Sequence, residues 1–321
     1  MPIIENSTYQ PPRFLTNGHL STIYPSLFRK VTGVTYQRER METPDDDFLD
    51  LDWSRIGSGK IGIVSHGLEG DTNRGYMLGM VKALNAHGWD ALAWNYRSCS
   101  GEPNRLLRSY HSGATDDLHI VAKHVIGQNC YREIALIGFS LGGNITLKYL
   151  GENGQTVDPL IKKGVAFSVP CDLARSSVEL AKFSNIIYMR RFLQSLHEKV
   201  KRKKALMPDK IDDTDFHKIK DFRGFDDRYT APFNGFRDAE DYWQQCSSRQ
   251  FIPNISVPTL LVSARNDPFL SPECFPVEEA KNNPNFYIEI PAAGGHVGFT
   301  QFNGDGLFWS EKRALQFLNE A

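Results

Sequence analysis

The segment whose residue types and spacing most directly suggest chemistry is Gly138-Phe139-Ser140-Leu141-Gly142. A serine with glycine two residues to either side, set between an apolar run and a helical pattern, suits a tight strand-to-helix turn. The small residues let strand and helix approach, and the turn lifts the hydroxyl toward solvent. The helix start that follows offers unpaired backbone N–H groups and a partial positive charge to an anion forming beside Ser140. A serine hydroxyl is a weak nucleophile until a base takes its proton, so this reading demands a histidine and a carboxylate to orient it.

On such a turn the partners follow in the order serine, acid, histidine. Beyond Ser140 lie His197, His217 and His296; the first two fall in a stretch without strand signals, whereas His296 sits in Gly294-Gly295-His296-Val297-Gly298-Phe299 directly after NFYIEI. The acid should follow the preceding strand, and Asp267 in Ala264-Arg265-Asn266-Asp267-Pro268 does so, although Asn-Asp-Pro is also an ordinary turn. Asp305 breaks the order, and Asp116 and Asp117 read as residues that start or support a helix. An oxyanion needs two N–H donors. Leu141 supplies the first and Leu68, in His66-Gly67-Leu68 at the end of IGIVS, the second. Gly67 permits that turn, and the His66 side chain reads as a satisfied loop histidine.

The elements that must position these groups follow from periodicity. Residues 48–53, 61–65, 90–94, 133–139, 164–169, 258–263 and 285–290 read as strands; 76–87, 115–126, 141–150 and 308–318 read as helices. Strands alternating with helices of ten or so residues imply a mostly parallel sheet flanked by helices, with the loops of interest at its carboxyl edge. The rhythm breaks between residues 172 and 248. The expectation is an α/β-hydrolase core formed by residues 1–171 and 249–321, with an inserted, largely helical cap at 172–248. Phe183, Tyr188, Phe192, Tyr229, Phe233 and Phe236 suit either an apolar pocket beneath that cap or the cap's own core. The run Lys199 to Lys204 reads as a solvated helix face.

Bulk properties narrow the class. In 321 residues with 40% hydrophobic and 23% charged side chains there is ample material for a core, and a formal charge of -1 gives no global case for nucleic acid or an anionic membrane as the main partner, so any such binding would have to be local. The five cysteines are scattered without metal-ligand spacing, which suggests a reduced, cytoplasmic protein with buried or inert thiols. No apolar run reaches the ~20 residues of a spanning helix, and the first twenty residues do not read as a secretory signal. Contact with a membrane would be peripheral.

The motifs HGLEGD at 66–71, NYRSCSGEPN at 95–104, YHSGATDDL at 110–118, GFSLGGNITLKYLGE at 138–152, FDDRYTAPFNGFRDAEDYW at 225–243, NDPF at 266–269 and GGHVGF at 294–299 form a linked set. With them the chain resembles the YheT-like, or EMB8-like, branch of the α/β-hydrolase superfamily, whose members resemble carboxylesterases and acylglycerol lipases. The resemblance implies a triad at Ser140, Asp267 and His296. One departure is Ser98, where the family usually has glycine in Arg-Gly-Cys-Ser-Gly.

Together these readings imply hydrolysis of a small-molecule carboxylic ester, lipid-like esters included, through an acyl-enzyme, with neither metal nor organic cofactor. Thioester and amide substrates suit the same triad. A ligand sensor with vestigial turnover, or a purely structural partner-binding protein, stands as the reading from another class.

Overall fold

The computed structural model describes residues 2–320. Nine strands form one sheet: β1 (Ile3–Ile4), β2 (Gln37–Glu42), β3 (Phe48–Ser54), β4 (Lys60–Ser65), β5 (Asp90–Asn95), β6 (Glu133–Phe139), β7 (Ile161–Phe167), β8 (Thr259–Val262) and β9 (Phe286–Glu289). Their order is β1-β9-β8-β7-β6-β4-β5-β3-β2. Only the β2–β3 and β3–β5 pairs are antiparallel. The helices that concern the site are α1 (Gly18–Phe28), α2 (Gly75–Ala86), α3 (Thr115–Gly127), α4 (Leu141–Asn153), α5 (Leu173–Leu180) and α6 (Ile186–Leu206). This is the mostly parallel, helix-flanked architecture of the α/β-hydrolase fold.

The central strands are apolar runs because both faces are covered. Ile61 and Ile63 of β4, with Ile134 and Leu136 of β6, enter one core layer. Val64, Ala135, Ile137 and Phe139 enter the other, as the two-residue period of a strand requires. Between β7 and β8 the chain makes α5, α6 and a series of short helices, with no strand among the described residues. Leu193, Leu196, Phe216, Phe225 and Tyr229 give this segment a small core of its own.

Three elements depart from the expectation. β2 reads Gln-Arg-Glu-Arg-Met-Glu, with no apolar alternation; Arg38 and Arg40 instead form bidentate pairs with the buried Asp52 and Asp50 of β3, at 2.7–2.8 Å. β1 has only two residues. α1 contains Pro25 and turns Ser21 inward, so it lacks an apolar stripe facing the core. The cysteines are all free; Cys99, Cys171, Cys246 and Cys274 are buried and Cys130 is exposed. Among the described residues no helix is long and apolar enough to cross a membrane.

The tightest packing is where β6 turns into α4. A Cβ on Gly138 would lie 2.2 Å from the Gly142 carbonyl oxygen, and one on Gly142 would lie 2.4 Å from that of Ser65 at the end of β4. Both contacts are with backbone, which cannot yield without moving a strand. At Gly127, the last residue of α3, a Cβ would meet nothing within 4 Å. We expect Gly142→Ala to lower stability by about 3 kcal/mol, whereas Gly127→Ala is neutral or gains a few tenths of a kcal/mol. Urea unfolding midpoints of the two variants test the contrast; equal midpoints contradict it.

Candidate active site

The close crossing of β6, α4 and β4 holds Ser140 at φ 54° and ψ −117°, a conformation that costs a non-glycine residue about 1–3 kcal/mol. Its N–H donates to the Phe167 carbonyl at 2.8 Å, tying the turn to β7. The Ser140 side chain does not cap α4, so the hydroxyl is left for other partners.

Strand order carries the other groups to the same edge. β4 lies beside β6, bringing the 66–70 loop next to Ser140, while β8 and β9 end beyond β7. The loop after β9 is pinned from three sides. Gly295 N–H donates to Asn266 Oδ1, His296 N–H to Thr22 Oγ1 of α1, and Val297 N–H to Ser168 Oγ after β7, at 3.0, 2.9 and 2.9 Å. Held there, His296 places Nε2 2.8 Å from Ser140 Oγ and Nδ1 2.8 Å from Asp267 Oδ2. The other oxygen of Asp267 accepts the Phe269 N–H at 2.9 Å. The Phe269 ring lies 4.3 Å from the imidazole. A carboxylate on Nδ1 requires the proton there, which leaves Nε2 with the lone pair facing the serine hydroxyl. The structure thus brings Ser140, Asp267 and His296 into one hydrogen-bonded relay. His197 is stacked on Phe216 at 3.7 Å, and Asp305 pairs with Lys312; both lie outside the relay.

In the 66–70 loop, Gly67 N–H donates to Tyr76 Oη at 3.0 Å, Glu69 N–H to Tyr110 Oη at 3.1 Å and Gly70 N–H to the Gly67 carbonyl at 3.0 Å. Among the described residues the Leu68 N–H has no such acceptor. Leu141 is the first residue of α4, whose first-turn N–H groups have no partner within the helix. His66 is buried, with Nδ1 donating to the Gly67 carbonyl at 2.8 Å and Nε2 accepting from Tyr96 N–H at 3.4 Å. Burial pushes its pKa down to about 3, so it stays neutral and shapes the loop. Ser98, the residue in place of glycine, takes φ 63° and is held by Asn104, whose N–H donates to Ser98 Oγ at 3.1 Å.

The basic run on α6 departs from the reading of a solvated face. Lys199 and Lys203, one turn apart, point inward. Lys199 Nζ lies 2.9 Å from Glu69 and 2.9 Å from Cys99 Sγ, and the Glu69 carboxylate also accepts the Tyr110 hydroxyl at 2.5 Å. Lys203 donates to the Leu107 and Arg108 carbonyls at 3.2 and 2.6 Å, and burial lowers its pKa to about 8. Sequence periodicity marks positions 199 and 203 as one helix face, but with charged residues on both faces it gives no sign of which is covered.

Two cavities meet at Ser140 and His296. The first, about 1180 Å³ with its mouth included, is lined by apolar side chains such as Leu180, Phe192, Leu196, Phe225 and Tyr229, with Asp226 in its wall. The second is more polar and includes Thr22, Leu27, Arg74, Tyr188 and Arg191. Of the aromatics singled out in the sequence, Phe192, Tyr229 and Phe233 line the first cavity and Tyr188 the second. Phe236 packs on His111 and Tyr242, and Phe183 is exposed. Thr22 and Tyr76, which hold the histidine loop and the 66–70 loop, carried no signal in the sequence, since each is a common residue in an undistinguished context.

Residues 60–275 match the family model described as "Serine aminopeptidase, S33". The Escherichia coli (strain K12) protein YheT is 35% identical over 322 residues, which cover 98% of this chain and 93% of that one. Phospholipase ABHD3 of Mus musculus is 28% identical over 310 residues, covering 94% and 75%. Among solved structures, the Pyrococcus furiosus esterase Pf2001 shares the fold with a TM-score of 0.62 at 20% identity, over 96% of this chain and 98% of that one. The chain is thus an esterase- and lipase-type α/β-hydrolase, and it belongs to the YheT-like, or EMB8-like, branch of that superfamily.

Proposed function

We propose that this protein hydrolyses carboxylic esters by acyl transfer through Ser140. The observation that carries the reading is the 2.8 Å relay from Asp267 through His296 to a serine held at φ 54° where two cavities meet. His296 Nε2 takes the hydroxyl proton as Ser140 Oγ attacks the ester carbonyl, and Asp267 stabilises the imidazolium. The Leu68 and Leu141 N–H groups receive the negative charge on the carbonyl oxygen. Collapse of the tetrahedral intermediate expels the alcohol, which takes the proton from His296. Water, deprotonated by the same imidazole, attacks the acyl-enzyme carbonyl; a second tetrahedral intermediate collapses, and the proton returns to Ser140 as the acid departs.

The two cavities suggest how a substrate lies. The apolar one suits the acyl chain, and the polar one the alcohol. Residues 172–248 act in this reading as a cap whose inner face makes most of the acyl wall. Names of relatives such as phospholipase ABHD3 agree with an ester carrying an apolar chain.

Asp226 gives the acyl wall a pH dependence. Its carboxyl accepts from Thr230 and Trp243, at 2.6 and 2.8 Å, and burial raises its pKa to about 7. The unfolded chain releases this proton near pH 4, whereas the folded chain retains it up to about pH 7. The stability it contributes is therefore present below pH 4 and lost as pH rises toward 7.

Four outcomes follow. Wild type should turn over p-nitrophenyl esters with kcat/KM rising roughly fourfold per added methylene until the apolar cavity is filled, at about 0.8 kcal/mol each. Ser140→Ala should abolish turnover; steady-state rates that survive in this variant contradict the nucleophile assignment. Asp267→Asn should retain the fold and lower kcat by about 10⁴, measured by the same assay alongside circular dichroism. Asp226→Asn should lose less stability than wild type between pH 5 and 8 in urea titrations; parallel pH curves contradict the raised pKa.

A further inference from the structure

α1 is amphipathic in the wrong sense for a helix on a globular core. Its inward side presents Ser21, which is buried, and Thr22, which holds the His296 loop. Its outward side presents Leu20, Ile23, Leu27 and Phe28, and Leu27 and Phe28 are 62% and 63% exposed. The apolar surface continues through Phe14, stacked on Phe302 at 5.9 Å and edge-on to Tyr24 at 5.8 Å. His19 of α1 meets Tyr188 of α6 at 3.2 Å, so the surface adjoins the start of α6, where Phe183 and Ile187 are 88% and 74% exposed. A contiguous apolar patch of this kind on a soluble domain marks a docking surface.

Two further observations identify what docks there. The polar cavity that leads to Ser140 is lined by Ile23 and Leu27 from α1 and by Tyr188 and Arg191 from α6, so the patch borders its mouth. Residues 13–30 and 182–197 contain no Asp or Glu, and Arg13, Lys30, Arg190 and Arg191 are exposed among the apolar side chains, while Lys182 is paired with Glu179 at 2.6 Å. In a chain of net charge -1 this is a local concentration of positive charge. Apolar side chains that enter the acyl boundary, ringed by basic groups at headgroup level, match an anionic lipid surface.

We propose that the face formed by α1, the start of α6 and Phe14 and Phe302 docks on bilayers containing anionic phospholipid, with the polar cavity opening onto the membrane. An ester lying in the membrane then reaches Ser140 without crossing water. This deepens the ester-hydrolase reading, but docking itself requires no turnover.

Flotation of Ser140→Ala protein with phosphatidylcholine vesicles, with and without about 30 mol % phosphatidylglycerol, tests it. Binding is expected on the anionic vesicles, weakening as salt is raised. Replacing the exposed Phe28, Phe183 and Ile187 together by serine should lower that binding about tenfold or more. The same triple substitution in active protein should leave hydrolysis of a short, water-soluble ester unchanged. Absence of flotation with anionic vesicles overturns the proposal. So does a dimer in sedimentation velocity that the triple substitution dissociates, because the face would then belong to a second copy of the chain. Loss of soluble-ester turnover in wild type would count against the hydrolase reading and leave the flotation result to stand by itself.

Discussion

The arrangement depends on one steric constraint: the backbone of α4 crosses β6 and β4 so closely that only glycine fits at positions 138 and 142. That crossing fixes Ser140 in its left-handed conformation and aims its hydroxyl out of the sheet. It also leaves the first turn of α4, unpaired and positively polarised, beside the hydroxyl. Everything else at the site is arranged around this point. The conformational cost at Ser140 is sustained because α4 is buried along nearly its whole length and cannot relax.

Around that fixed point the other groups are held by contacts from outside their own loops. Thr22 of α1, Ser168 after β7 and Asn266 after β8 each accept a backbone N–H from the His296 loop. The 66–70 loop is held by Tyr76, by Tyr110 and by the Glu69–Lys199 pair, which joins it to α6. The pair is largely shielded from solvent, so its strength is less screened than that of a fully exposed one. Helix α6 therefore touches the proposed oxyanion loop, the apolar cavity and the mouth of the polar cavity at once. Position along this one helix links the proposed cap to the chemistry.

Much of this was legible in the sequence because it follows from short-range rules. Residues 133–139 announce a buried strand as a short continuous apolar run and 141–150 a helix by spacing, and glycine two residues either side of Ser140 announces the turn. Chain order then singles out Asp267 and His296. What escaped were features decided by partners distant in sequence. β2 is a strand because Arg38 and Arg40 meet aspartates across the hairpin. α1 turns its polar side inward, since what it contacts is a loop of backbone N–H groups rather than an apolar layer. Lys203 is buried and Lys199 half-buried because the 107–108 carbonyls and the 66–70 loop face them. None of these has a periodic signature.

The central claim is that Ser140 is a nucleophile activated by His296, and its most direct test is covalent. Treating the folded protein with a fluorophosphonate and mapping the adduct by peptide mass should find one phosphonylated residue, Ser140, with labelling slowed by orders of magnitude in His296→Ala. Label on another residue, or a folded wild-type protein that takes none, would contradict the account.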